Sequence, residues 1–282
     1  MSERKISANG GTSVPRSRKR RRISPLTIAI WAAGLLVYLF LILPVLVIFL
    51  SAFSPQEYPQ FPPEGFSVRW FEALFTNRQW HSALWNSIVL LLIVTPLTVI
   101  LGTGAAYALG RLQFRGKQAL QSFMLSPLMI PQVVLGIALL YELTTLGLIN
   151  SIWGLVIGHI VVAFPYVIRT VGVSVSSLDP KLELASMSLG AGPVTTFRRV
   201  TLPLIRPGIV AGAIFSAVTS FGEVSISLFV SSPRTITVPV RIFGYIDQTF
   251  DPSVNAISVI FIVLAVAALI VIDRTIGLTK VM

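Results

Sequence analysis

Residues 179–209 read DPKLELASMSLGAGPVTTFRRVTLPLIRPGI, a polar stretch between two long apolar segments. Asp179 precedes a proline, the pattern of a helix N-cap followed by proline at the first helical position. Gly190 lies where this helix should end, because glycine readily adopts the left-handed conformation that closes many helices. Pro193 is placed to open a second short helix and Pro203 to limit it. The stretch therefore predicts a compact helix–turn–helix unit.

The chain as a whole has the composition of a membrane protein. Of its 282 residues, 54% are hydrophobic and 12% are charged, whereas soluble domains carry about 25% charged residues. We predict an all-α integral membrane protein with six transmembrane helices. Pro127 and Pro131 bend the third, either as an ordinary kink or as a break that lines a pathway. The predicted spans are the segments long and apolar enough to cross a bilayer, residues 28–52, 84–109, 120–141, 152–171, 209–230 and 254–272.

The distribution of positive charge predicts the orientation. Residues 1–25 are basic and poor in apolar side chains, which predicts a disordered tail. Of the 22 Lys and Arg residues, all but Arg69, Arg78, Arg234 and Arg241 fall on the side of the membrane that holds both termini. The positive-inside rule then places both termini in the cytoplasm. We interpret the net charge of +11 as a membrane-orientation signal and predict no nucleic-acid partner.

A short helix is predicted outside the spans, in the external segment 53–83. Phe66, Trp70 and Leu74 recur at helical spacing, which is typical of a helix lying in the outer membrane interface. Ser67 is the predicted N-cap of this helix.

Two ionisable residues, His159 and Glu223, lie in the interior of the predicted spans. A carboxylate at the bilayer centre costs several kcal/mol unless it faces water, protein or a cation. Two interpretations of Glu223 stay open, a structural hydrogen bond to a neighbouring helix and attraction of a cationic solute. For the second, Ser220 and Ser225 offer polar partners, and Phe221 could flank an alkyl chain.

The 179–209 stretch resembles the "EAA" loop of ABC importer permeases. Leu184 departs from that pattern, which usually has alanine there. The resemblance implies a type I ABC importer permease fold for residues 26–282, with a coupling loop at about 179–207 that docks on an ATPase subunit. The residues that carry the resemblance, and to which it assigns ATPase coupling, are Glu183, Ala185, Gly190, Phe197, Leu202 and Pro203, followed by Pro207 and Gly208.

A narrower resemblance concerns the substrate. Residues 220–229 read SFGEVSISLF and are similar to the polyamine-type (spermidine/putrescine) permeases. This implies import of a polyamine or another amine-bearing solute past Glu223, Ser220, Phe221 and Ser225. That subfamily often has Asp where this chain has Gly222, so a different small organic solute or an anion remains an alternative.

The resemblance also implies the partners. They are ABC ATPase subunits, a second and different permease chain, and an extracytoplasmic solute-binding protein, at a bacterial inner membrane. Residues 110–118 only superficially resemble a phosphate-binding loop, because the glycine spacing is too long and Gln118 replaces the required Ser or Thr. We therefore predict no enzyme activity, catalytic residue, cofactor or metal in this chain. An ion-coupled secondary transporter and an intramembrane enzyme are the alternatives from other classes, but the spans lack the repeats or paired acids and bases typical of them.

Overall fold

The computed structural model describes residues 25–56, 62–248 and 253–276, and all regular structure within these ranges is helical. The predicted N-terminal tail lies outside the described residues apart from Pro25. Two short irregular helices supplement the α-helices, a 3-10 turn at Ser126–Leu128 and a π-helical turn at Phe197–Thr201. The α-helices are α1 (Pro25–Ala52), α2 (Arg69–Thr76), α3 (Arg78–Arg111), α4 (Lys117–Leu125), α5 (Gln132–Thr145), α6 (Ile152–Ser177), α7 (Pro180–Ser188), α8 (Pro193–Thr196), α9 (Leu202–Leu204), α10 (Arg206–Phe221), α11 (Ser225–Val230), α12 (Val238–Gln248) and α13 (Ser253–Ile276).

The chain divides into two compact units, residues 1–46 and 47–282. The described part of the first unit consists of most of α1. Its side chains are apolar all round and nearly all exposed, as expected for a helix that faces lipid. Pro44 lies inside α1 without ending it.

Within the described residues, length and composition allow four spans, or up to six if each bent helix pair is counted as one span. Two pairs are long and apolar enough together. One is α4 with its 3-10 extension and α5, bent by 106°. The other is α8 through α9 with α10, bent by 70°; α8 and α9 belong to the 179–207 loop, so α10 is the part that corresponds to the predicted fifth span. Four single helices qualify by length and composition: Ala29–Ala52, Arg78–Arg111, Ile152–Ser177 and Ser253–Val271.

The third predicted span is broken rather than continuous. Pro127 lies in the 3-10 turn and Pro131 is the N-cap residue of α5. Each proline lacks an N–H donor, and its ring collides with the carbonyl one turn earlier. Two prolines this close together turn the chain through 106°. The prediction of a single helix over 120–141 was therefore wrong, although the position of the bend was right.

The fifth predicted span is interrupted as well. Helix α10 ends at Phe221, Gly222 is its C-cap residue, and α11 begins only at Ser225. The prediction of one helix over 209–230 was wrong, and Glu223 lies in the break and not within a helix. The sequence is predominantly apolar on both sides of the break, so hydropathy did not reveal it.

Helix α2, predicted between the first two spans, begins at Arg69, two residues after Ser67. Val68 is the N-cap residue of α2, so the predicted cap was wrong. Ser67 nevertheless accepts a hydrogen bond at this helix start, from the N–H of Arg69 over 3.2 Å. The predicted apolar face is present, with Leu74 buried against Trp80 and α13 residues while Phe66 stays exposed.

Helices α3, α6 and α10 pack against one another and form the centre of the second unit. Small residues permit these close approaches. A Cβ atom on Gly102 of α3 would lie 2.6 Å from Cγ1 of Val167 in α6. A Cβ atom on Gly208 of α10 would collide with Ser174 and lie 2.8 Å from the carbonyl oxygen of Thr170. The start of α10, directly after the 179–207 loop, is thus held tightly against α6.

Candidate functional site

The first half of the 179–207 loop folds as its sequence predicts. The Asp179 side chain accepts a hydrogen bond from the N–H of Lys181 over 2.9 Å and caps α7. At the other end Gly190 has φ +87°, in the left-handed region. Its N–H donates to the carbonyl of Met187 over 3.0 Å, and the next N–H donates to Ser186 over 3.2 Å. This is the Schellman arrangement of a helix C-terminus.

The second half differs from the prediction in one respect. Pro193 opens α8 as expected, but Pro203 does not limit the helix. It lies in α9, and the chain before it widens into the π-helical turn of residues 197–201. A wider turn accommodates the missing N–H of a proline, so the helical path continues to Leu204 and bends only at Ile205.

Glu183 points into the protein and not toward solvent. Glu183 lies in α7, most of whose residues are exposed, but Glu183 itself is only 7% exposed. The Oε2 atom lies 2.7 Å from Nε of Arg111, and Oε1 accepts a hydrogen bond from the Thr201 hydroxyl over 2.5 Å. A buried charge needs such partners, because desolvating it alone is strongly unfavourable. Glu183 therefore joins the two halves of the loop to the end of α3.

Arg111 was missed in the sequence analysis. It is the last residue of α3, and besides Glu183 it donates through Nη2 to the carbonyl oxygen of Leu178 over 3.0 Å. One turn earlier, the ring of Tyr107 packs edge-on against Phe197 at a centroid distance of 4.9 Å. A basic residue at the end of an apolar helix is usual for charge reasons alone, so no sequence signal distinguished Arg111 from its neighbours.

The other predicted coupling residues lie at the surface. Ala185, Gly190, Leu202 and Pro203 are exposed, whereas Phe197 is half-buried against α3. Around them the loop presents an apolar rim, in which Leu189 is 89% exposed. Several exposed apolar side chains in one short segment are typical of a protein-binding site. The other large apolar side chains of the rim are Leu182, Leu184, Met187 and Val194.

Glu223 lies at the break between α10 and α11 and is 5% exposed. Its Oε1 atom accepts a hydrogen bond from the N–H of Ile226 over 2.7 Å. The carboxylate thereby satisfies one of the free N–H groups at the start of α11. This bond is local, to a residue three positions further along the chain, so both interpretations of Glu223 stay open.

His159 of α6 connects both sides of the same break. Its Nδ1 atom lies 3.0 Å from the hydroxyl of Ser220 at the end of α10. Its Nε2 atom lies 2.8 Å from the hydroxyl of Ser227 in α11. The ring is 1% exposed, so these two hydroxyls are its hydrogen-bonding surroundings. The sequence analysis noted His159 inside a span and gave it no role; a histidine within an apolar span is itself a signal for such a contact.

The four predicted pathway residues do not share one cavity. Phe221 stacks on Phe261 of α13 at a centroid distance of 3.8 Å, and Ser220 faces His159. Only Ser225 is partly exposed, 3.5 Å from Oε1 of Gln132 at the start of α5. Among the described residues no group of His, Cys, Asp or Glu side chains could hold a metal ion.

Comparison with known proteins identifies the family. Residues 99–276, from the middle of α3 to the end of α13, match the family described as "Binding-protein-dependent transport system inner membrane component". The chain belongs to this family. It is therefore a permease subunit of an ABC importer and a multi-pass inner-membrane protein, and not an enzyme.

Three similar proteins cover 70% to 83% of the chain. The spermidine/putrescine transport system permease protein PotC of Haemophilus influenzae is 33% identical over 83% of this chain and 91% of its own length. The putrescine transport system permease protein PotI of Escherichia coli K12 is 29% identical over 81% of this chain and 83% of its own length. A probable molybdenum ABC transporter permease of Haloferax volcanii is 32% identical over 70% of this chain and 76% of its own length.

Solved structures confirm the predicted fold class. A chain of a bacterial ABC transporter involved in the import of the acidic polysaccharide alginate matches with a TM-score of 0.72 at 17% identity, over 88% of this chain and 95% of its own. A chain of the MetNI methionine ABC transporter in an inward-facing conformation matches with a TM-score of 0.59 at 19% identity, over 69% of this chain and 93% of its own. At these identities the likeness concerns the fold alone.

Proposed function

We propose that this permease imports a polyamine, with ATP hydrolysis supplied by separate ABC ATPase subunits that bind its 179–207 loop. The observation that carries the docking assignment is the division of the loop into two faces. Glu183 and Phe197 face α3, while Ala185, Gly190, Leu202 and Pro203 lie at the surface beside an exposed apolar rim. A loop anchored on one side and apolar on the other is suited to receive force from a bound partner.

The substrate proposal rests on the relatives and on the charge at the break. PotC and PotI are named as spermidine/putrescine and putrescine permeases. Glu223 brings a carboxylate to the break after α10, with the half-exposed Ser225 and the exposed Gln132 nearby. A negative charge in a low-dielectric region attracts an alkylammonium ion and repels an anion. We therefore assign Glu223 and Ser225 to the substrate pathway, whereas Ser220 and Phe221 are buried against His159 and Phe261 and support the break behind it.

An oxyanion is the second candidate substrate. The observation in its favour is the similarity to the Haloferax volcanii protein, which is named as a probable molybdenum permease. Gly222, in place of the Asp that often occurs there in polyamine-type permeases, removes one acidic group from the break. Glu223 argues against an anionic substrate, since its charge would have to be neutralised before an anion could pass.

We further propose that both termini lie in the cytoplasm. Two of the arginines assigned to the outer side contact the first part of α3: Nδ2 of Asn86 donates to the carbonyl oxygen of Arg234, and Arg241 donates to Gln79 over 2.6 Å. Arg111 and the 179–207 loop lie at the other end of α3. The excess of positive charge at the loop end supports a cytoplasmic position for it.

A complete transporter requires partners beyond the ATPase. By analogy with other importers of this family, we assign a second, different permease chain and an extracytoplasmic solute-binding protein. The alginate transporter structure determined with a periplasmic protein that carries alginate pentasaccharide supports the last assignment.

Uptake by the reconstituted transporter tests the proposed function. The chain is co-expressed with its neighbouring permease, ATPase and binding protein genes, purified through a tag on this chain, and placed in liposomes. We expect the ATPase to co-purify, and ATP-dependent uptake of radiolabelled spermidine or putrescine. Uptake of molybdate without uptake of either polyamine would identify an oxyanion as the substrate. Purification of the chain without an ATPase would exclude the docking role of the 179–207 loop.

A further inference from the structure

Arg111 connects parts of the protein that are far apart along the chain. It ends α3, whereas the 179–207 loop lies between α6 and α10. Its Nε atom lies 2.7 Å from Glu183 in α7, and its Nη2 atom donates to Leu178, the residue that follows α6, over 3.0 Å. The side chains of Arg111 and Glu183 are 15% and 9% exposed. This ion pair is therefore largely shielded from water.

Thr201 extends the connection to the far side of the loop. Its hydroxyl donates to the second carboxylate oxygen of Glu183, and the residue itself is fully buried. Thr201 ends the π-helical turn that leads through α9 into α10. Through a single carboxylate, the end of α3 is thus joined to α7 and to the chain entering α10.

The chemistry of this cluster makes it rigid. Arginine presents several N–H donors in a planar fork, so that it holds a carboxylate and a carbonyl oxygen at the same time. Removing one member of a buried ion pair leaves an uncompensated charge and is much more harmful than removing both. The two halves of the loop, α7 and the turn that ends at Thr201, therefore move together with the end of α3 unless these contacts break.

We propose that Arg111 is a positioning residue that transmits movement of the 179–207 loop to α3. The covalent connections of the loop run only to α6 and α10, and the pair of Arg111 with Glu183 adds α3 as a third. Glu183 is buried and pairs with Arg111, so we assign the ATPase contact to the exposed apolar rim and not to Glu183. This inference rests on the proposed docking of the ATPase to the loop.

The ratio of substrate transported to ATP hydrolysed tests the proposal. Arg111→Gln and Glu183→Gln are compared with the double variant Arg111→Gln/Glu183→Gln in the complete reconstituted transporter. We expect each single variant to keep the ATPase bound and to lower the ratio about tenfold. The double variant should lower the ratio no further than either single variant, because all three variants break the same connection. A general loss of stability would lower transport and hydrolysis together and leave their ratio unchanged.

Arg115→Gln is the matched control, because Arg115 is an exposed arginine one turn beyond α3. We expect its ratio to equal that of the unmodified protein. If Arg111→Gln gives the same ratio as Arg115→Gln, the proposal is overturned. Losses that simply add in the double variant would show that the two residues act separately, and would overturn it as well.

A distance measurement on the permease chain keeps the test independent of ATPase docking and of transport. The chain has no cysteine, so spin labels can be placed at Leu112→Cys and Ser188→Cys, two exposed positions at the end of α3 and in α7. We expect a narrow distance distribution that broadens with Arg111→Gln and not with Arg115→Gln. An unchanged distance distribution in Arg111→Gln would overturn the positioning role, whether or not the ATPase binds. Failure of the ATPase to bind the unmodified chain would contradict the proposed function instead.

Discussion

The carboxylate of Glu223 caps helix α11, its Oε1 atom accepting the N–H of Ile226 over 2.7 Å. Glu223 comes two residues after the end of α10, so the same side chain that marks the break also stabilises the helix that follows it. The cap and the proposed attraction of a cationic substrate make different demands. The cap needs an acceptor oxygen, whereas attraction needs a negative charge.

Glu223→Gln keeps an acceptor oxygen and removes the charge. We expect uptake of a polyamine to fall about tenfold or more while the complex assembles normally. Glu223→Ala removes the cap as well and should lower stability by about 1 kcal/mol. Uptake is measured in liposomes, and stability by thermal unfolding in detergent. Unaltered uptake with Glu223→Gln would leave the carboxylate with its capping role only.

Gly190→Asp should uncouple ATP hydrolysis from transport without preventing membrane insertion. A side chain at φ +87° is strained by about 1 kcal/mol or more, although the surrounding space is open. Gly192→Asp is the matched control, because Gly192 also has open space, but a φ of −69° that any residue adopts. Both variants add the same charge to the same loop. A normal transport-to-hydrolysis ratio for Gly190→Asp would contradict the docking assignment.

His159→Leu should destabilise the permease. The substitution leaves the buried hydroxyls of Ser220 and Ser227 without their histidine partner, and an unsatisfied buried polar group costs about 1–3 kcal/mol. We expect a clear fall in the thermal unfolding temperature in detergent. His81→Leu, at an exposed position on α3, serves as the control and should unfold like the unmodified chain. Equal unfolding temperatures for the two variants would show that His159 does not hold α10 and α11 together.

Single cysteines test the orientation, because the natural chain contains none. With both termini inside, Ser188→Cys in α7 should be protected from an impermeant thiol reagent in intact cells. Thr76→Cys, at the exposed end of α2, should react. Both positions should react after the cells are opened. Labelling of Ser188→Cys in intact cells would show that the 179–207 loop lies outside, the opposite of the proposed orientation.

Features that depend on neighbouring residues could be predicted from the sequence. The apolar spans follow from composition, the Asp179 cap from an aspartate before a proline, and the turn at Gly190 from the need for a left-handed residue. The bend near Pro127 and Pro131 follows from missing N–H donors. Each of these depends on physics that acts within a few residues of chain.

Only the tertiary structure revealed which distant polar groups meet. His159 lies 61 residues from Ser220 and 68 from Ser227, and Arg111 is separated from Glu183 by the whole of α4, α5 and α6. Hydropathy indicates that a residue is buried, but the partner of a buried polar group is decided by how the helices pack. The sequence placed Glu183 in the docking loop. Its burial and its pairing with Arg111 depend on the packing of α3, α7 and the turn at Thr201, and only the tertiary structure shows that packing.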